Sequence, residues 1–400
     1  MAEREGLKAA CAGRRGRAVW VPHKEGEIMD RRDCLRLLAS APFALSAVAG
    51  RAAALSDRQY ADAIVIDGLG GFWDPYGKPE DVKISARALG EMRASGQTAC
   101  SITMNEVGNA PDVFAKTIAN IGAYDQAIAD NGETLVKVRG VDDIRAAKAS
   151  KRFALIYNVQ DTSWAGTELD RIATLKGLGV RTVQLTYNLR NLSGDGCLEP
   201  ANGGLSKLGR ATIARIEKEK LLLDLSHAGQ RTVAEGLAAA TRPPTISHTG
   251  CRALNDNPRN QWDAELKACA DKGGVVGIYW MPFLVANGKP TGADLIRHME
   301  HAVNVCGEDH VAIGTDGILF KTVIDDKARE AQKKFFEDRS KAGIAAPGEG
   351  ADIFNILAEW DDHLRFRHLA DGLAAAGWSS ARIEKVLGAN LMRLYGEVWG

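Results

Sequence analysis

Three short apolar runs end in side chains that can bind a metal or move a proton. They are Leu223-Asp224-Leu225-Ser226-His227, Thr245-Ile246-Ser247-His248 and Ile313-Gly314-Thr315-Asp316-Gly317. Imidazole and carboxylate suit a borderline cation such as zinc, and three protein ligands with one open position describe a catalytic rather than a structural site. His227 and His248 are therefore the candidate ligands, with Asp316 as a candidate to complete the shell. If Asp316 stays outside the shell, it is placed to take a proton from an attacking water and pass it to a leaving amine. A fourth run ends Leu185-Thr186-Tyr187-Asn188, and the Tyr187 phenol is a candidate donor to a developing oxyanion, with Asn188 beside it as a substrate contact. Arg259, in Pro258-Arg259-Asn260, fits a bidentate clamp on a carboxylate. The other six histidines, at 23, 298, 301, 310, 363 and 368, fall in the leader, on helical stretches or at the base of a strand, where surface or core roles explain them.

These residues act together only if the chain brings the ends of its runs to one rim. Eight apolar or β-branched runs recur: Ala63 to Asp67, Thr98 to Met104, Phe153 to Val159, Arg181 to Tyr187, Leu221 to Ser226, Pro244 to His248, Gly274 to Trp280 and His310 to Thr315. Between them lies helical spacing, as in Leu205, Leu208, Ile213 and Ile216, and in 264–272. Near-continuous apolar strands separated by helices imply a parallel sheet covered on both faces. Eight such units predict a (β/α)8 barrel of the TIM type over residues 60–400, with its chemistry at the C-terminal ends of the strands. A doubly wound open sheet is the alternative, but GxGxxG is absent. Asp67-Gly68-Leu69-Gly70-Gly71-Phe72 is glycine-rich without that spacing.

Lys plus Arg and Asp plus Glu both number 51, so no basic excess marks a nucleic-acid partner. Seven cysteines, at 11, 34, 100, 197, 251, 269 and 306, include no CxxC pair, which disfavours a thiolate zinc cluster or a disulfide scaffold. Residues 1–28 are basic and patternless and read as a disordered or non-native leader. In 29–54, Arg31-Arg32 precede an uncharged run from Leu37 to Ala49 and the small-residue endings Ala47-Val48-Ala49 and Ala52-Ala53-Ala54. That run is too short to span a bilayer and reads as a twin-arginine export signal, which predicts a periplasmic or secreted protein. No second long apolar stretch supports a membrane span. Residues 318–350, first charged and then rich in Gly and Ala, predict a helix and a mobile loop that either covers the rim or is solvated.

Taken together the motifs resemble the membrane dipeptidase (renal dipeptidase) family of zinc metallopeptidases. The resemblance rests on Leu223 to His227, Ser247-His248-Thr249 with Cys251-Arg252-Ala253-Leu254 and Pro258-Arg259-Asn260, Gly194-Asp195-Gly196-Cys197 in the loop 191–205, Gly314 to Gly317, and Val386-Leu387-Gly388-Ala389-Asn390 with Arg393. It runs from about Ala61 to the end. It implies an amidohydrolase-type barrel, two bridged zinc ions and hydrolysis of dipeptides. It further implies that His227 and His248 bind one metal, that Asp316 is the acid/base group, and that Arg259 holds a substrate carboxylate. The chain departs from the family at four positions. The His-x-Asp pair that ends the first strand is Leu69 and Gly71 here, the bridging carboxylate is Gln160, and a substrate-contacting histidine is Tyr187. A neutral amide does not offset the repulsion between two dications a few ångströms apart. The expectation is thus an exported hydrolase of dipeptides with one zinc rather than two. The alternatives are an inactive barrel that binds a small ligand, or a hydrolase of another small amide or lactone. A homodimer is compatible with this reading, though no residue specifies one.

Overall fold

The computed structural model describes residues 54–78, 81–108 and 111–400. The proposed leader, and the export signal but for its last residue, lie outside the described residues. Nine parallel strands form one sheet: β1 Ile66–Gly70, β2 Ala99–Thr103, β3 Leu135–Lys137, β4 Phe153–Val159, β5 Val180–Gln184, β6 Leu222–Asp224, β7 Thr245–Thr249, β8 Val275–Ile278 and β9 Val311–Ile313. Their order is β1-β2-β4-β5-β6-β7-β8-β9, with β3 paired to the first half of β4. The ends of the path meet: Gly71 N–H donates to Gly317 O (2.7 Å), Asp316 N–H donates to Leu69 O (2.8 Å), and Gly71 bridges Ile318. The eight predicted runs each overlap a barrel strand, and the architecture is the (β/α)8 barrel. All seven residues of β4 are buried, as expected of a strand covered on both faces.

Three expectations need correction. The first strand begins later than predicted, because Ala63 caps the short helix Asp57–Asp62 and the glycine-rich stretch is itself the strand. Glycine is required at 68, where a Cβ would come within 2.8 Å of Ile313 O across the closing seam. The fourth and eighth predicted runs overreach: β5 stops at Gln184 and β9 at Ile313, so their polar ends lie in the loops that follow. Leu135–Lys137, three residues long, escapes a periodicity reading.

The helices lie where the spacing places them. Lys207–Lys218 is capped by the Ser206 hydroxyl on Gly209 N–H and buries Ile213 and Ile216. Asp326–Lys341 buries none of its residues, yet the loop after it crosses the rim and is tied down there. Among the described residues no helix is long and apolar enough to cross a membrane, and the five described cysteines are free thiols.

Candidate active site

His227 follows β6 on a left-handed backbone (φ 61°), a conformation that costs a non-glycine residue and recurs at functional sites. Its ring is buried, and Nδ1 lies 2.6 Å from Asn188 Oδ1. An amide oxygen only accepts, so Nδ1 carries the proton and the Nε2 lone pair is free. That Nε2 is buried with no partner among the described residues. Tyr187 stacks on the same ring, centroids 4.1 Å apart.

His248, within β7, is held equivalently by different means. Its Nδ1 lies 2.8 Å from Ser247 Oγ. Ser247 Oγ in turn donates to Asp224 Oδ2, so it accepts from Nδ1–H and again leaves a lone pair on Nε2. Ser226 Oγ also donates to Asp224 (2.8 Å) and accepts the His248 N–H (3.1 Å). The two imidazoles cross at 60° with centroids 4.8 Å apart. Burial, with Arg259 adding positive charge nearby, holds both well below the usual histidine range and so neutral. Such outer partners orient and tune metal-ligating histidines.

Arg259 is 1 % exposed, and neither Nη1 nor Nη2 has a partner among the described residues. Its backbone N–H donates to Asn257 Oδ1 (2.9 Å), which fixes the loop that carries it. Burying a cation is costly, by several kcal/mol in order of magnitude, and among the described residues the Asp316 carboxyl and the Cys197 thiol act on it from nearby. Asp316, half-buried and also left-handed (φ 56°), has its carboxyl pushed up to about 6 by burial, against the pull of the Arg259 and Arg339 guanidiniums. A carboxyl with such a pKa is chemically able to take and return protons near neutral pH.

The sequence-predicted set assembles in part. Gln160 stands beside His248, its Nε2 3.5 Å from the imidazole Nε2, while its backbone is held by Asn105 and Gln184. Among the described residues, however, no three His, Cys, Asp or Glu side chains come close enough to hold a metal ion. The expected three-ligand set of His227, His248 and Asp316 therefore reduces to the histidine pair with Gln160 alongside. Asn188, expected as a substrate contact, has structural partners at both ends of its amide: Oδ1 lies 2.6 Å from His227 Nδ1 and Nδ2 donates to Ile344 O (2.7 Å). Asp67, a conceivable substitute ligand, is consumed by the barrel seam: it accepts from Thr315 N–H (2.8 Å), Thr315 Oγ (2.6 Å) and Leu69 N–H (3.3 Å). Leu69 is buried apolar surface. A two-ion centre does not fit these residues; what they offer a metal is two adjacent neutral imidazoles, with the His227 Nε2 orphaned and the Gln160 amide beside the His248 Nε2.

Sequence reasoning missed Asp224, although it stands in the same string as His227. Period-two alternation in that string already aims Asp224 and Ser226 to one side. It also missed Arg339 and Glu349, for which no local signal exists, since their charges read as a solvated helix and loop.

A (β/α)8 barrel with a buried, outer-braced histidine pair at the strand ends has the architecture of a metal-dependent hydrolase. The family model for membrane dipeptidase, peptidase family M19, matches residues 80–325, and the chain belongs to that family. A Klebsiella pneumoniae protein described only as uncharacterized, from the pqqA 5′ region, is 26% identical over 285 residues, covering 68% of this chain and 93% of its own. Dipeptidase verJ of Clonostachys rogersoniana is 30% identical over 169 residues, 42% of this chain and 44% of its own length. The aligned stretch thus spans about half the length of that fungal dipeptidase. Among solved structures, an amidohydrolase from Pseudomonas aeruginosa is 32% identical with a TM-score of 0.72, covering 86% of this chain and 98% of that one. A Rhodobacter sphaeroides metallopeptidase, liganded with a phosphinate mimic of L-Ala-D-Ala, shares the fold at 18% identity, with a TM-score of 0.68 over 84% of this chain and all of that one.

Proposed function

We propose that the chain is an exported dipeptidase that works with a single zinc ion held by His227 and His248, with Gln160 at its side. The observation that carries this reading is the buried Arg259, both terminal nitrogens without a hydrogen-bond partner among the described residues, close enough to act electrostatically on two neutral imidazoles, of which His227 has an unpartnered Nε2 and His248 has its Nε2 3.5 Å from the Gln160 amide. When bound, the ion supplies Lewis acidity toward the scissile carbonyl and the attacking water. Arg259 binds the terminal carboxylate in a bidentate fork and thereby fixes the peptide bond in the pocket. Asp316 accepts the proton of the attacking water and delivers it to the leaving amine. Tyr187 offers its phenol to the oxygen that gains charge.

The deciding experiment is elemental analysis of the purified chain, with dipeptide turnover measured on the same sample. One equivalent of zinc with turnover supports the reading; no metal and no turnover after zinc is added removes it. That second outcome would favour a barrel that only binds a carboxylate ligand, a reading supported by the absence of three clustered acidic or imidazole ligands among the described residues. For export, a reporter fused to residues 29–54 should reach the periplasm, and Arg31→Lys with Arg32→Lys should trap it in the cytoplasm; continued export of that variant would remove this part of the proposal.

A further inference from the structure

The rim segment from Arg339 to Glu349 is fastened to the residues that hold the site. Ile344 O accepts from Asn188, the partner of His227, and Pro347 O accepts from Asn257 (2.6 Å), the partner of Arg259. At its centre Arg339 and Glu349 form a bidentate pair, Nε to Oε2 at 2.6 Å and Nη2 to Oε1 at 2.8 Å, with both side chains largely buried. Nη2 also donates to Ile344 O (3.0 Å), and Glu349 Oε1 accepts the Ala346 N–H (2.9 Å). Glu349 neutralises Arg339, so Arg339 is not a second anion clamp like Arg259. What remains is Nη1, which donates to the Tyr187 phenol oxygen at 3.2 Å.

That contact has a direction. A guanidinium has donors and no acceptor, so the phenol oxygen must accept. The stack on His227 fixes the plane of the tyrosine ring. Nothing else on Tyr187 is engaged in a hydrogen bond among the described residues, which leaves its O–H proton free to turn away from Arg339.

We propose that Arg339 is a positioning residue: it holds the Tyr187 phenol so that its O–H donates to the oxygen that gains negative charge when a dipeptide carbonyl is attacked. This rests on the dipeptidase reading above. A preorganised donor of this kind typically contributes about 10²-fold to rate, and a more flexibly held phenol less.

The test is a double-mutant cycle on the full zinc-loaded chain with alanyl-alanine as substrate, using Tyr187→Phe, Arg339→Met and the double variant. Each single change should lower kcat by roughly 10-fold or more, with KM within about twofold, and the double should be no worse than Tyr187→Phe alone. Arg339→Lys should recover part of the loss, since an ammonium also donates to the phenol. Losses that multiply in the double variant, losses confined to KM, or an Arg339→Met chain that turns over like the wild type would each overturn the proposal. If thermal melting shows that Arg339→Met is misfolded, Arg339→Lys takes its place in the cycle. If the wild type has no turnover at all, the dipeptidase reading fails, and the cycle is read instead from calorimetric binding of a phosphinate analogue of the dipeptide. The same non-additive weakening there sustains the role of Arg339, and additive or absent effects overturn it.

Discussion

The ends of β6 and β7 and the end of β1 lie on one rim of one barrel, but they are built to opposite purposes. At β6 and β7 each histidine has its own outer partner, Asn188 for His227 and the Ser247 to Asp224 chain for His248, and each partner leaves Nε2 with its lone pair. At β1 the same rim is closed. Leu69 is buried, its carbonyl and the Gly71 N–H pair with the loop after β9, and Asp67 is spent on Thr315. A metal half-site is therefore more than its ligands. At β6 and β7 the imidazoles are braced from outside, and at β1 the buried Leu69 and the closing contacts with the loop after β9 offer no ligand.

The largest expected effect breaks the intact half. His227→Ala with His248→Ala should abolish metal retention and reduce turnover by at least ~10³-fold, because no other pair of free imidazole lone pairs stands at the rim. Unchanged zinc content by elemental analysis would sink the site assignment.

The next prediction concerns the proton carrier between the two halves. Asp316 has a carboxyl pushed up to about 6, and it must be ionised to accept a proton. kcat/KM should therefore fall as pH drops through about 6 and level off above it. Asp316→Asn should remove that limb and cost roughly 10²- to 10⁴-fold in rate. A pH profile unchanged by the substitution would assign the limb to another group.

Removing an outer partner should do less than removing a ligand. Asn188→Leu leaves His227 in place but frees its tautomer, and should weaken zinc affinity by about 10- to 100-fold. Competition with a chelator of known affinity measures this, and unaltered affinity would show that the Asn188 contact does not prepare Nε2.

The smallest change in activity is expected from rebuilding the closed half. Leu69→His, Gly71→Asp and Gln160→Glu together should raise zinc from one toward two equivalents per chain. A Cβ at residue 71 meets Trp73 Cζ3 at 2.8 Å, but Trp73 is 56% exposed and free to swing outward. Stability should fall by about 1–3 kcal/mol, because the seam loses the close fit at Leu69. A stoichiometry that stays at one would mean that the seam at β1 excludes the second ion whatever its side chains.

Much of the fold was legible because it rests on local period and composition. Phe153–Val159 reads as a strand buried on both faces, and Ile213 and Ile216 read as the inner face of a helix. His227, His248 and Arg259 were legible because metal-type and clamp-type side chains at the ends of apolar runs, or in the loops just beyond them, have few other uses. Asn188 was legible as a rim residue, while its contact with His227 was not. The run that carries it shows that it sits on the rim, but not that its oxygen meets His227 39 positions later in the chain.

The sequence by itself determined the strand and helix alternation and the rim at the C-terminal ends of the strands, since each follows from residue type and spacing along one stretch of chain; that Leu69, Gly71 and Gln160 stand where metal ligands would be is what the resemblance to the dipeptidase family implies. Only the tertiary structure decided which polar atoms are left without partners, that no three acidic, thiol or imidazole side chains cluster among the described residues, and that Arg339 and Glu349 reach the rim from a charged helix and the loop after it. Those outcomes depend on contacts between residues as far apart as Tyr187 and Arg339, which are set by how the barrel closes and by which partners burial forces on each polar group.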